Sequence, residues 1–121
     1  MKILVVDDLP LFRKIARKVL ELDDHEVIEA CDGEEGVAKF KEDTYGVVIM
    51  DYEMPKLNGL EATKKIREHE GDGEKTPVIF YTNTKGEDIK NEALSIDNCY
   101  FLFKTNNGRD LLDQVRQILG N

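Results

Sequence analysis

The sequence predicts an α/β fold in which one five-stranded parallel sheet is covered by helices on both faces. Short apolar runs recur along the chain, among them Ile3-Leu4-Val5-Val6, Val47-Val48-Ile49-Met50, Val78-Ile79-Phe80-Tyr81 and Phe101-Leu102-Phe103. Unbroken runs of this length match strands buried on both faces. Segments with apolar residues at helical spacing lie between them, giving the alternation of a βα repeat. Ionisable residues stand directly after the runs: Asp7 and Asp8, Asp51, and Lys104. A charge cannot sit unpaired inside such a strand, but it can sit where the strand leaves the sheet, which is where open α/β sheets bind ligands.

Strands are read at 2–6, 25–30, 46–50, 77–82 and 99–103, and helices at 10–22, 33–43, 58–70, 85–95 and 107–119. The first helix opens with Leu9, Pro10, Leu11, Phe12 and Ile15 next to the acidic pair. Most of these are expected in the core, with one or two left exposed to dock a partner. Arg13, Lys14, Arg17 and Lys18 read as the solvated face of this helix, and His25 and His69 as surface residues. After the third strand, Pro55 restricts the backbone and Gly59 releases it, so the loop can hold a fixed bend. Asn58 can cap the third helix. Gly71 to Lys75 form a polar loop, and Pro77 suits the first position of a strand. Asn107 can cap the fifth helix, whose Leu111, Leu112, Val115, Ile118 and Leu119 form one apolar face.

The 121 residues fit a single domain, 1–121, which buries roughly two thirds of the surface its unfolded chain exposes. No apolar stretch approaches the ~20 residues of a membrane helix, and no signal-peptide layout precedes the first strand, so a soluble cytoplasmic protein is expected. Cys31 and Cys99 lack the number for a disulfide scaffold and the spacing of a zinc site. A net charge of -8, from 25 acidic and 17 basic residues, argues against binding nucleic acid or an anionic membrane.

Carboxylates at Asp7, Asp8 and Asp51 would repel one another unless a cation or protons neutralised them. An oxygen donor set without His or Cys favours Mg²⁺ or Mn²⁺. Thr82 ends the fourth run and Lys104 the fifth. A hydroxyl, an ammonium and a divalent cation together neutralise the oxygens of a transferring phosphoryl group, with Asp51 as the nucleophile.

With those residues assembled, the chain resembles a response-regulator receiver domain, the phosphoacceptor half of two-component signalling. The resemblance spans residues 2 to 120 and rests on Asp7-Asp8, Asp51 followed by Pro55 and Gly59, Thr82 five residues after Pro77, and Lys104 after an aromatic-containing strand. It implies a flavodoxin-like (βα)₅ fold, doubly wound in the order 2-1-3-4-5. It also implies that Asp51 accepts phosphate from a histidine kinase or histidine phosphotransfer protein. Asp8, Asp51 and the backbone carbonyl of Glu53 would hold Mg²⁺, with Asp7 acting through water. Thr82 and Lys104 would contact the phosphoryl oxygens, and Phe101 would be the aromatic that turns as Thr82 moves. The surface of helix 4, strand 5 and helix 5 would then meet a downstream target protein. The domain would be no enzyme beyond assisting its own phosphorylation and dephosphorylation, and would act as a stand-alone regulator.

Three positions depart from the family pattern. Asn83 replaces a small residue after Thr82, Thr105 replaces a proline after Lys104, and Ser95-Ile96-Asp97-Asn98 replaces a Gly-Ala pair, so that Asn98 is expected to take a left-handed conformation. The competing functions are a receiver-like interaction module that is not phosphorylated, a Mg²⁺-dependent phosphohydrolase and a flavodoxin-like nucleotide binder. The hydrolase needs a second aspartate where Glu53 stands, and the nucleotide binder needs a Gly-rich loop after strand 1.

Overall fold

Alternation of side chains along five parallel strands builds the architecture. The computed structural model describes residues 1–105 and 107–120. The elements run β1 (Lys2–Val6), α1 (Pro10–Glu21), β2 (Glu26–Ala30), α2 (Gly33–Glu42), β3 (Val47–Met50), α3 (Gly59–Glu70), β4 (Val78–Thr82), α4 (Glu87–Leu94), β5 (Cys99–Phe103) and α5 (Arg109–Leu119). The strands are parallel and ordered β2-β1-β3-β4-β5, as the family resemblance implies. Successive side chains point to opposite faces. Leu4, Val6, Val48, Met50, Val78 and Phe80 therefore meet Val37, Phe40, Leu60, Ala62, Ile66 and Ala93 on one side. Ile3, Val5, Val47, Ile49, Ile79 and Tyr81 meet Ala16, Leu20, Leu111, Leu112 and Val115 on the other.

The central strands β1, β3 and β4 are buried on both faces, as their unbroken apolar runs predict. β5 is not. It is the sheet edge, its residues are half-buried, and Phe103 is 45% exposed. An apolar run shows that a strand lacks polar positions, and it cannot show that a neighbour covers them.

Helix starts follow local chemistry. Pro10 occupies the first turn of α1, where its missing N–H costs nothing. The Asp32 carboxylate accepts the Glu35 amide at 2.8 Å. Asn58 and Glu61 form a reciprocal capping box on α3. Asn107 also caps, but its side chain accepts the Arg109 amide from outside a helix that begins at Arg109.

The bend between β3 and α3 works differently from the expectation. Lys56 takes the left-handed conformation (φ 70°), while Gly59 does not. Gly59 is needed for space, since a Cβ there would lie 2.1 Å from the Asp51 carbonyl oxygen. Its amide donates to the Tyr52 carbonyl at 2.8 Å, clamping the loop onto the end of β3.

Asn98 is left-handed as expected (φ 54°). Its side chain donates to the Lys75 carbonyl at 2.8 Å. The guanidinium of Arg67 reaches the same place from α3, bonding the carbonyls of Asp97 at 2.7 Å and Thr76 at 2.9 Å and the Glu70 carboxylate at 2.8 Å.

Three further expectations are corrected. Leu9, Pro10 and Leu11 are exposed and Phe12 and Ile15 half-buried, so fewer of these residues enter the core than their apolar character suggests. Arg13 and Arg17 are not merely solvated: both pair with Glu29 on β2, at 3.2 and 2.6 Å. His25 is buried at 6% exposure, and neither ring nitrogen has a hydrogen-bond partner among the described residues. His69 is exposed, edge-on to Phe40.

Candidate functional site at the carboxyl edge of the sheet

Register places the ionisable residues side by side. Val6 pairs with Met50 and Thr82 with Phe103, so Asp7, Asp51 and Lys104 each lie one residue past a paired end. The ladder continues through them: the amides of Asp51, Asp7 and Lys104 donate to the carbonyls of Val6 (2.9 Å), Ala30 (3.1 Å) and Thr82 (2.9 Å). These bonds fix the backbone beneath the site.

Carboxylate oxygens of Asp7, Asp8 and Asp51 lie within 4.8 Å of one another. Lys104 Nζ stands 2.8 Å from Asp7 Oδ2 and 3.3 Å from Asp51 Oδ2, with its side chain 2% exposed. The other oxygens are also engaged: Asp7 Oδ1 accepts the Leu9 amide at 2.9 Å and Asp51 Oδ1 accepts the Tyr52 amide at 2.8 Å. Asp7 and Asp51 are buried and Asp8 is half-buried. Burial pushes the Asp51 carboxyl up to about 6, the charge of Asp7 adds to the shift, and Lys104 opposes it.

With all groups ionised, three carboxylates against one ammonium leave two negative charges. The donor set is all oxygen, which suits a hard divalent cation such as Mg²⁺ or Mn²⁺ rather than zinc.

Above these groups opens a cleft of about 310 Å³ lined by Asp8, Leu9, Asp51, Glu53, Thr82, Asn83, Thr84 and Lys104. Glu53 and Asn83 are exposed at its rim. Thr82 is buried on the floor, where its hydroxyl donates to Thr84 Oγ1 at 3.2 Å and accepts the Thr84 amide at 3.1 Å. Phe101 does not line the cleft; it is half-buried, with its ring 5.2 Å from that of Phe103 and nearly perpendicular to it.

The structure thus brings Asp7, Asp8, Asp51, Thr82 and Lys104 together, with Glu53 at the rim and Phe101 outside the cleft. Sequence reasoning missed Thr84, Arg13 and Phe12. Thr84 is a short-range turn partner of Thr82 and could have been suspected from its spacing. Arg13 donates through Nη1 to the Asp7 carbonyl at 2.7 Å, and the Phe12 ring lies beneath Lys104 Nζ, 4.2 Å from its centroid. Only the packing of α1 against the strand ends brings those two groups to the site.

This acidic pocket on a doubly wound sheet is the layout of a receiver module. The family model for the response regulator receiver domain matches residues 3–116, and the chain belongs to that family. It is 32% identical over 119 residues to the transcriptional regulatory protein ResD of Bacillus subtilis, covering 98% of this chain and 48% of ResD. It is 41% identical over 81 residues to the autoinducer sensor kinase/phosphatase CqsS of Vibrio cholerae, covering 67% of this chain and 12% of that protein. The chain therefore spans about half or less of the length of these curated relatives. Among solved structures, the chemotaxis protein CheY4 of Vibrio cholerae superposes with a TM-score of 0.87 at 29% identity, over 97% of both chains. The response regulator TrrA of Thermotoga maritima, solved in complex with Mg(2+)-BeF, gives 0.83 at 31% identity over 97% of both chains. No helix among the described residues is long and apolar enough to cross a membrane.

Proposed function

We propose that this receiver domain is the phosphoacceptor switch of a cytoplasmic two-component system, with Asp51 taking a phosphoryl group from the phosphohistidine of a histidine kinase or histidine phosphotransfer protein. One observation carries the reading: Asp51 lies in an open cleft with one oxygen held by its neighbour's amide and the other paired to the buried ammonium of Lys104. A carboxylate so placed is oriented for attack and its product is met by positive charge.

An Asp51 oxygen attacks phosphorus in line. The P–O bond forms as the P–N bond breaks, and the electron pair of that bond leaves with the imidazole nitrogen. Lys104 exchanges its contact with Asp51 for a phosphoryl oxygen while keeping Asp7, its nearer partner. Asp8, Asp51 and the Glu53 carbonyl would hold Mg²⁺ or Mn²⁺, with Asp7 acting through water, and the ion would supply neutralisation of the remaining oxygens. That the similar protein TrrA was solved in complex with Mg(2+)-BeF supports the choice of a divalent cation.

Thr82 then gives up Thr84 for a phosphoryl oxygen, and Phe101 turns into the space above the sheet. The adjoining α4 is cheap to displace, because Ala93 is its one fully buried residue and Gly86 begins it without a side-chain cap. The rearranged surface of α4, β5 and α5 binds a target protein or passes the phosphoryl group on.

Intact mass after incubation with acetyl phosphate and Mg²⁺ tests the reading. A gain of about 80 Da, one phosphoryl group, is expected for the wild type and is abolished by EDTA or Asp51→Asn. No adduct despite Mg²⁺ binding would instead make the chain an unphosphorylated interaction module, with Asn83 at the cleft rim the first residue to replace.

A further inference from the structure

Lys104 has a third neighbour that belongs to neither acid nor cleft. Its Nζ lies over the ring of Phe12, 4.2 Å from the centroid, while Asp7 and Asp51 stand at 2.8 and 3.3 Å. An ammonium carries three donors and no acceptor. Two carboxylates occupy part of that shell, and the negative face of the ring supplies electron density to the rest. Phe12 is itself held. Its amide donates to the Leu9 carbonyl at 3.1 Å, and the next residue, Arg13, ties the helix start to the Asp7 carbonyl at 2.7 Å. The first turn of α1 is therefore fixed to the strand end that carries Asp7, and it brings the ring with it.

We propose that Phe12 is a positioning residue for Lys104: its ring caps the ammonium and holds it at the Asp7–Asp51 seat, ready to move onto an incoming phosphoryl oxygen. The proposal rests on the phosphoacceptor reading of Asp51. A ring face suits this task because it attracts the cation without a directional hydrogen bond. Lys104 can trade one carboxylate contact for a phosphoryl oxygen while remaining capped. A carbonyl or a further carboxylate in the same place would either have to be broken away or would add negative charge to a site already carrying an excess. Bulk water, which would let the lysine swing out, is kept from the side that Phe12 covers.

Two measurements test this on the full chain. In proton–carbon correlation spectra with labelled lysine, the Lys104 ε-methylene protons are expected upfield of the other lysines because of the ring current. They should stay there in Phe12→Tyr and return to the ordinary position in Phe12→Leu. The rate of adduct formation with acetyl phosphate and Mg²⁺ should fall by about 5- to 30-fold in Phe12→Leu, the range that a cation–π contact of ~1–2 kcal/mol converts to at ~1.4 kcal/mol per tenfold, and recover in Phe12→Tyr. An unshifted Lys104 signal in the wild type overturns the proposal without reference to any variant. So does a folded Phe12→Leu protein with unchanged rate, or equal slowing in Leu and Tyr. If the wild type forms no adduct at all, the phosphoacceptor reading fails, while the lysine spectrum still reports on the contact.

Discussion

Replacing Asp51 with asparagine should make this protein more stable while removing the proposed phosphoacceptor. Asp51 is buried beside Asp7, and the two together hold its carboxyl at about 6 against an ordinary 3.8, even with Lys104 at 3.3 Å. A carboxyl that binds its proton more tightly in the native state lowers stability as pH rises through that interval, because the native protein must give up a proton that the unfolded chain has already lost. The difference of about two pH units sets a ceiling of ~3 kcal/mol at neutral pH. Asparagine keeps an oxygen that can accept the Tyr52 amide, now at 2.8 Å, and carries no charge. Its Lys104 then has only Asp7, which reduces the gain, so ~1–2 kcal/mol is expected. For a domain of this length ~1 kcal/mol corresponds to ~4 °C, giving a melting temperature higher by about 4–8 °C. The assay is thermal unfolding by circular dichroism in EDTA at pH 7.5 and at pH 4. The advantage of Asp51→Asn should be present at the first pH and largely gone at the second. Equal or lower stability at pH 7.5, or an advantage unchanged at pH 4, would show that Asp51 is not strained by burial and its acidic neighbour.

Gly59→Ala should cost ~2–3 kcal/mol, since its Cβ would meet the Asp51 carbonyl oxygen at 2.1 Å and the backbone cannot yield as a side chain would; urea denaturation checks this. Arg67→Ala leaves the Glu70 carboxylate and the carbonyls of Asp97 and Thr76 without their shared donor, and a loss of ~2–4 kcal/mol is expected in the same experiment. Burial lowers the His25 pKa, so the native protein takes up fewer protons than the unfolded chain as pH falls below ~6.5, and stability is lost in that direction. His25→Phe should lose less melting temperature than the wild type between pH 7.5 and 5.5; equal losses in the two proteins would remove His25 as the cause.

Departures from the family pattern have different structural outcomes. Asn98 does supply a left-handed residue before β5, and its amide is also used to hold the Lys75 carbonyl. Thr105 takes a role a proline could not: its amide donates to the Tyr81 hydroxyl at 3.2 Å and its hydroxyl to Asp110 at 2.7 Å, tying the end of β5 to α5. Asn83 stands exposed at the cleft rim.

The five βα units were legible in the amino-acid sequence alone, because strand burial and helical amphipathicity are written in short-range apolar spacing. The sequence also located the candidate site, since Asp7, Asp8, Asp51, Thr82 and Lys104 each lie where an apolar run stops. Asn58 was legible as a cap for the same reason: the partners of a helix start are three residues away. Whatever depends on which elements become neighbours was decided by tertiary structure. β5 has the apolar run of an inner strand and lies at the edge. His25 has polar sequence neighbours and is enclosed. Gly59 is required by a carbonyl eight residues away rather than by its own backbone angles. Arg13 and Phe12 resemble ordinary residues of an amphipathic helix until the packing of α1 sets one on the Asp7 carbonyl and the other beneath Lys104. Periodicity reports what a residue's own element needs, and contacts between distant elements are fixed only when the sheet order and helix packing bring them together.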